Sequence, residues 1–193
     1  MASRSRKKVD APDRTPRERM VLAAVALLSE RGLAGASFSE VIERSGAPRG
    51  SIYHHFPKGK DSLTSEAIAL VGNHLLALLR QRDGATPTEV VRRFVQAWRS
   101  VLTKSDCQAG CAIAAVANEA EAALRDQAAA VFISWETELA EALRIAGLAR
   151  PKAQRAASLI LASVEGALIL CRARRELAPL DSVEGALISF VDS

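Results

Sequence analysis

Aromatic side chains are scarce in this chain of 193 residues, at 4%, with two tryptophans, one tyrosine and five phenylalanines. That scarcity, with abundant alanine and leucine, speaks against a strand-rich fold. Histidine is rarer still: His54, His55 and His74 are the only three. No H-E-x-x-H, nucleophile elbow or phosphate-cradling glycine loop is present, and Gly46 and Gly50 read as a turn glycine and a close-approach glycine. No catalytic residue, metal ligand or cofactor is therefore assigned, and the chain reads as a non-enzyme. The three cysteines are an odd number without a secretory signal, which excludes a disulfide framework. Cys107 and Cys111 form a C-x3-C pair with no further Cys or His nearby. They read either as two small buried residues near a helix start or as a redox pair, and Cys171 reads as packing. No apolar run approaches the ~20 residues of a membrane span. The longest lies within Ala156 to Cys171, where Glu165 interrupts it. The basic N-terminus is followed by charged residues rather than an apolar segment, so nothing there reads as a signal peptide. These absences predict a soluble, cytoplasmic, reduced protein with no membrane contact.

What the chain does have is apolar residues, 49% of the total, enough for a packed core. No window alternates apolar and polar as a strand would, and helical spacing recurs throughout. The expected fold is all-α. Charge is uneven: residues 1–60 carry 12 Lys and Arg against 6 Asp and Glu, whereas residues 61–193 carry 14 against 16. A basic first third on a slightly acidic remainder suits a nucleic-acid-facing head on a separate body.

The most informative stretch is Ser37 to Lys60. Ser37 with Glu40 forms an S-x-x-E capping box, and Val41 and Ile42 give the first short helix its apolar side. Gly46 can take the left-handed conformation that ends it, and Pro48 suits the start of the next. A second helix over about Arg49 to Phe56 turns Ile52 and Phe56 inward at i, i+4. Gly50 and His54 lie opposite, flanked by Ser51 and Tyr53. A helix this short with a polar side turned outward is explained by something docking on it. Helix, tight turn and helix is the arrangement whose second helix enters the DNA major groove. The candidate DNA contacts are Ser37, Ser39, Arg49, Gly50, Ser51, Tyr53, His54 and His55. Lys60 joins them, because it lies where a phosphate would approach the start of the fourth helix.

Those residues also carry a resemblance. A helix from Thr15 to Gly32, the capped second helix, then A-P-R-G-S-I-Y-H-H-F with a lysine soon after, resembles the DNA-binding domain of the tetracycline-repressor (TetR) family over roughly Thr15 to Ala69. The F-P-K-G-K-D segment is one residue longer than the family's usual link. With D-C-Q-A-G-C-A-I-A-A-V-A, it resembles the multidrug- and flavonoid-responsive repressors of that family. The resemblance implies a three-helix DNA-binding head, a helical ligand-binding and dimerisation body, and no cofactor.

The rest of the chain reads in three parts: a basic arm (1–14), the helix-turn-helix domain (15–59) and the body (60–193). Arg4, Arg6, Lys7, Lys8 and Arg14 make the arm either a DNA-backbone or minor-groove contact or a solubilising tail. Helices are expected over 60–82, 87–104, 111–119, 121–146, 151–174 and 180–191. Phe94, Trp98, Phe132 and Trp135 fall on inward faces of the fifth and seventh. They read either as ordinary core or as the lining of an apolar cavity, with His74, Asn118 and Glu165 as its polar groups. The eighth helix is apolar nearly all round from Leu159 to Cys171, with Leu168 expected on a surface buried between subunits. The resemblance implies that the eighth and ninth helices form a homodimer. The reading is a repressor that binds a palindromic double-stranded DNA operator as a homodimer and leaves it on binding a small hydrophobic or aromatic effector. The alternative is a DNA-binding regulator without an effector, whose body only dimerises.

Overall fold

The computed structural model describes residues 14–81 and 84–193. Arg4, Arg6, Lys7 and Lys8 of the arm lie outside them. Among the described residues the chain is all-helical, with nine helices: α1 (Pro16–Arg31), α2 (Phe38–Ser45), α3 (Ser51–His55), α4 (Lys60–Leu79), α5 (Pro87–Lys104), α6 (Ala112–Glu119), α7 (Ala122–Ile145), α8 (Arg150–Arg174) and α9 (Ala178–Asp192).

Local chemistry places the boundaries. Thr15 caps α1 in a full capping box with Glu18, and Pro16 opens the first turn. The amide and hydroxyl of Thr15 hold the Glu18 carboxyl below its usual value. Thr86, Pro87 and Glu89 repeat the device at α5. At α2 the Ser37 side chain accepts from the Glu40 amide, while the Glu40 carboxylate reaches Arg31 at 2.9 Å. The second half of the expected box thus becomes a brace to α1. Gly46 ends α2 in the left-handed conformation, at φ 64° and ψ 19°. Arg49 and Gly50 stay in the turn that follows, so α3 begins two residues later than expected.

Helices α1 to α3 pack around Met20, Leu27, Leu28, Val41, Ile52 and Phe56, all buried. Polar ties fix the angles between them. Arg44 holds Glu30 through two 2.6 Å bonds, and Arg19 Nη1 donates to the Ser45 carbonyl at 3.1 Å. Helix α4 leaves this head and runs beside α7 in the same direction. Three ties follow one another along the pair. Gln127 Nε2 donates to the Ser65 carbonyl and Trp135 Nε1 to the Gly72 carbonyl, each at 3.0 Å, and Arg80 pairs with Glu138. Gly72 permits the approach, since a Cβ there would lie 3.1 Å from Val131 Cγ1. Helix α5 rests on α9, joined by Arg99 to Asp181 and Glu184.

By length and composition α4 and α8 could each cross a membrane. The charged interruption at Glu165 is thus too slight to break the apolar character of α8. In this fold both helices pack within the bundle. Helix α8 sends Ile160, Val164, Ala167, Leu168 and Cys171 into the core of its own chain. Leu168 is 2% exposed, which corrects its expected place on an intersubunit surface. The outward stripe is instead Leu159, Ala162, Gly166, Ile169, Leu170 and Ala173, at helical spacing. An all-apolar helix gives no phase from its sequence, so the inward face could not be told from the outward one.

Candidate DNA-reading face and effector site

The DNA-reading candidates fall into two sets. The first is exposed: Ser39, Arg49, Gly50, Tyr53 and His54. Tyr53 is 68% exposed although its ring meets Phe38 edge-on at 5.7 Å. Beneath it Ile52 and Phe56 are buried at 1% each and anchor α3 on α1. Arg17 lies over the Phe56 ring at 5.4 Å, a cation–π contact that closes the packing from the other side. Five residues of helix are far too few to be stable alone. The buried anchors therefore hold α3 in place, and its outward side chains are left to meet another molecule. A shallow depression between α2 and α3, bordered by Phe38, Ser39, Arg49 and Tyr53, is continuous with this face.

The second set has local work. Ser37 Oγ caps α2, and Ser51 Oγ donates to the Pro48 carbonyl at 2.6 Å. His55 is half-buried, with its ring 5.4 Å from that of His54. Lys60 Nζ donates to the Leu33 carbonyl at 2.6 Å, so one of its three donors is held by the head itself. Lys58, which the sequence reading passed over, is exposed in the link between α3 and α4. Its signal was the paired lysines of P-K-G-K.

The effector candidates also divide. Phe94 and Trp135 are fully buried, Trp98 is 5% exposed, and Phe132 is half-buried. The rings of Trp98 and Phe132 meet Trp135 edge-on at 6.1 Å and 5.6 Å. His74 and Asn118 are exposed. A polar residue beside an apolar stripe has no fixed azimuth from sequence alone, and both turn to solvent. Two polar atoms remain inside the body. Trp98 Nε1 and Glu165 Oε1 are buried without a hydrogen-bond partner. Burial pushes the Glu165 carboxyl up to about 7, moderated by the Cys111 thiol beside it. Buried polar groups of native proteins are nearly always paired, so two orphans in one body are a feature to explain.

Cys111 caps α6, its sulfur accepting from the Ala114 amide at 3.4 Å. Cys107, Cys111 and Cys171 are all free and buried, and burial raises all three thiols. Of the two sequence readings, small buried residues at a helix start describes Cys107 and Cys111.

Comparison with known proteins agrees with this geometry. The family profile of bacterial regulatory proteins of the tetR family matches residues 21–67. The profile of the C-terminal domain of LmrA/YxaF-like transcriptional regulators matches residues 87–186. An uncharacterized HTH-type transcriptional regulator of Mycobacterium tuberculosis is 39% identical over 180 residues, covering 89% of this chain and 92% of its own. The HTH-type transcriptional regulator LmrA of Bacillus subtilis is 28% identical over 174 residues, covering 85% and 90%. In fold, a TetR transcriptional regulator from Legionella pneumophila superposes with a TM-score of 0.83 at 22% identity, over 92% of this chain and 97% of that one. A helix-turn-helix head with Tyr53 turned outward, a nine-helix order and both matching domains lead to one conclusion: this chain belongs to the TetR family of transcriptional regulators, with a body of the LmrA/YxaF-like kind.

Proposed function

We propose that this regulator is a repressor that binds a palindromic operator as a homodimer and is released by a small hydrophobic or aromatic effector. The observation that carries the DNA half is the outward face of α3. Tyr53, His54, Arg49 and Gly50 are exposed on or beside a helix whose other side is anchored by Ile52 and Phe56. Arg49 is the candidate base reader, since a bidentate arginine–guanine pair discriminates by ~1–3 kcal/mol. Tyr53 and Ser39 border the same face. Lys60, at the start of α4, would meet a phosphate with the ammonium donors that Leu33 leaves over.

The homodimer is supported by the bare stripe of α8 together with its neighbour on α9, where Ser182, Gly185, Ala186 and Ser189 are exposed. A Cβ on Gly166 or Gly185 would meet nothing within 4 Å, so a partner helix could lie close on either. Acting on chromosomal operators, the protein would work in the cytoplasm. The effector reading rests on Trp98 Nε1 and Glu165 Oε1, an indole donor and one oxygen of a carboxyl whose other neighbour is the Cys111 thiol. A compound that lodges beside Phe94, Trp98, Phe132 and Trp135 would offer the indole of Trp98 an acceptor.

A second reading keeps the DNA half and drops the effector. It is favoured by the complete burial of Phe94 and Trp135 and by the indole bond to Gly72, which are what a plain core shows. Selection of bound fragments from random duplex DNA tests the first half. Inverted repeats whose half-sites lie one helical turn apart, ~34–36 Å, are expected. Titration with a library of aromatic compounds, followed by tryptophan emission, separates the two readings. Both tryptophans lie in the body, so a compound that releases DNA from this site should change that emission. Release with no change, and a crystal structure placing the compound elsewhere, overturns the site.

A further inference from the structure

Residue 33, in the link between α1 and α2, is held from both sides. Its N–H donates to the Glu119 carboxylate at 2.8 Å, and the same oxygen accepts from the Ala34 amide at 3.4 Å. Glu119 is the last residue of α6, in the body. The carbonyl of the same residue 33 accepts from Lys60 Nζ at 2.6 Å, and Lys60 is the first residue of α4, just past the DNA-reading helix. Gly32 makes the first contact possible. Its φ is 72°, and a Cβ there would lie 2.3 Å from Glu119 Oε1.

A second strap lies alongside. Arg172 of α8 donates from Nη2 to the Glu30 carbonyl at 3.0 Å and from Nε to the Gln108 carbonyl at 3.1 Å. The Gly110 amide donates to the Ser29 carbonyl at 2.8 Å. A Cβ at Gly110 would sit 3.1 Å from Arg172 Cδ, so the loop and the guanidinium are fitted to each other. The last carbonyls of a helix have no partner within it and normally turn to water, caps or ligands. Here the body supplies those partners at Ser29 and Glu30.

We propose that Leu33 is the junction through which the body sets the position of Lys60, and with it of α3, on DNA. The proposal rests on the DNA-binding reading above. While Glu119 anchors the link, the Leu33 carbonyl stands within reach of Lys60, and the start of α4 is drawn against the end of α1. Both bonds involve a charged side chain, which makes them stronger than neutral ones. When α6 withdraws, the carbonyl is no longer fixed, Lys60 loses its anchor, and α3 loses its set angle. This route runs through the α1–α2 link and needs no movement of α4 along α7.

Hydrogen exchange of the full-length protein tests it first. In Glu119→Ala, exchange should rise about 5-fold or more both in segment 32–36 and in segment 57–63, with α5 and α9 unchanged; this is the lower end of ordinary intersite coupling. A rise confined to 32–36 overturns the junction. Glu119→Gln keeps the shape, guards against misfolding, and should give a smaller change in the same two segments. On a duplex selected with the wild type, Glu119→Ala should weaken binding about 5- to 150-fold. In a Lys60→Ala background the same change should add less than about 2-fold, because neighbours acting through one path are non-additive. Independent, multiplying effects overturn the proposal. Should the wild type select no duplex, the DNA-binding reading fails, and exchange at 57–63 alone decides the junction: a rise supports it and no rise overturns it.

Discussion

The head and the body solve different problems with the same kind of helix. In the head, short helices are fixed by named polar contacts: Arg44 on Glu30, Arg31 on Glu40, Arg19 on the Ser45 carbonyl. Those inner side chains serve geometry, leaving Arg19 Nε and Arg44 Nε buried without partners, while Tyr53 and Arg49 face outward. In the body, long helices are packed through apolar stripes and tied at a few points such as Trp135 on the Gly72 carbonyl, and two polar atoms, at Trp98 and Glu165, are left over inside. Surplus chemistry on the surface suits recognition of a large partner. Surplus chemistry in the interior suits a small one, and costs stability until it is met.

The largest expected effect sharpens the contrast within α8 itself. Leu168→Asp should unfold the chain, because an unpaired charge among the buried residues of its own subunit costs several kcal/mol. Ile169→Asp, one residue on and 68% exposed, should leave the melting temperature within a few degrees and abolish the proposed dimer. Sedimentation would show a folded monomer, and a persistent dimer would move the interface off this stripe. Next, Trp98→Ala should cost ~3–5 kcal/mol in denaturant unfolding if the aromatic cluster is a filled core. A loss below about 2 kcal/mol would mean that space already exists beside the ring.

Glu165→Gln comes third. The folded carboxyl titrates at about 7, above its unfolded 4.5, so the folded state binds the proton more tightly. Its contribution is therefore fully favourable below pH 4.5 and is lost as pH rises through about 7. The variant should match the wild type near pH 4 and be more stable at pH 8 by on the order of 3 kcal/mol. Equal pH profiles for the two would show that Glu165 is paired in solution. The smallest effects belong to the head. Arg49→Ala should cost ~1–3 kcal/mol of binding and relax base preference at one position per half-site, read by competition between duplexes. Tyr53→Ala should weaken operator binding in a gel shift while changing stability by less than about 0.5 kcal/mol.

The same division decided how much could be read from the chain. Boundaries set by local chemistry were legible: Thr86 and Pro87 start α5, Lys104 ends it, and Gly46 closes α2. The outward side of α3 at Tyr53 and His54 was legible too, because buried anchors at Ile52 and Phe56 fix the phase of the rest. The phase of α8 was not, and Leu168 was turned the wrong way. His74 and Asn118 were drawn inward by their neighbours in sequence and face solvent in the fold. Glu119 and Arg172 look like ordinary solvated charges. Their partners lie 86 and 142 residues away, a separation at which no sequence pattern speaks.

The three ties between α4 and α7 have a mechanical consequence. Spaced about two turns apart at Ser65, Gly72 and Arg80, they leave the two helices unable to slide and slow to bend, so the pair behaves as a beam. A beam carries a tilt from one end to the other without loss. From Arg80 to Lys60 is about 20 residues, or about 30 Å, so a tilt of about 5° at the far end would swing Lys60 by about 3 Å. That swing is as long as a hydrogen bond. A disturbance too small to see beside Trp135 would be large enough, at the other end, to decide whether an ammonium group keeps its carbonyl.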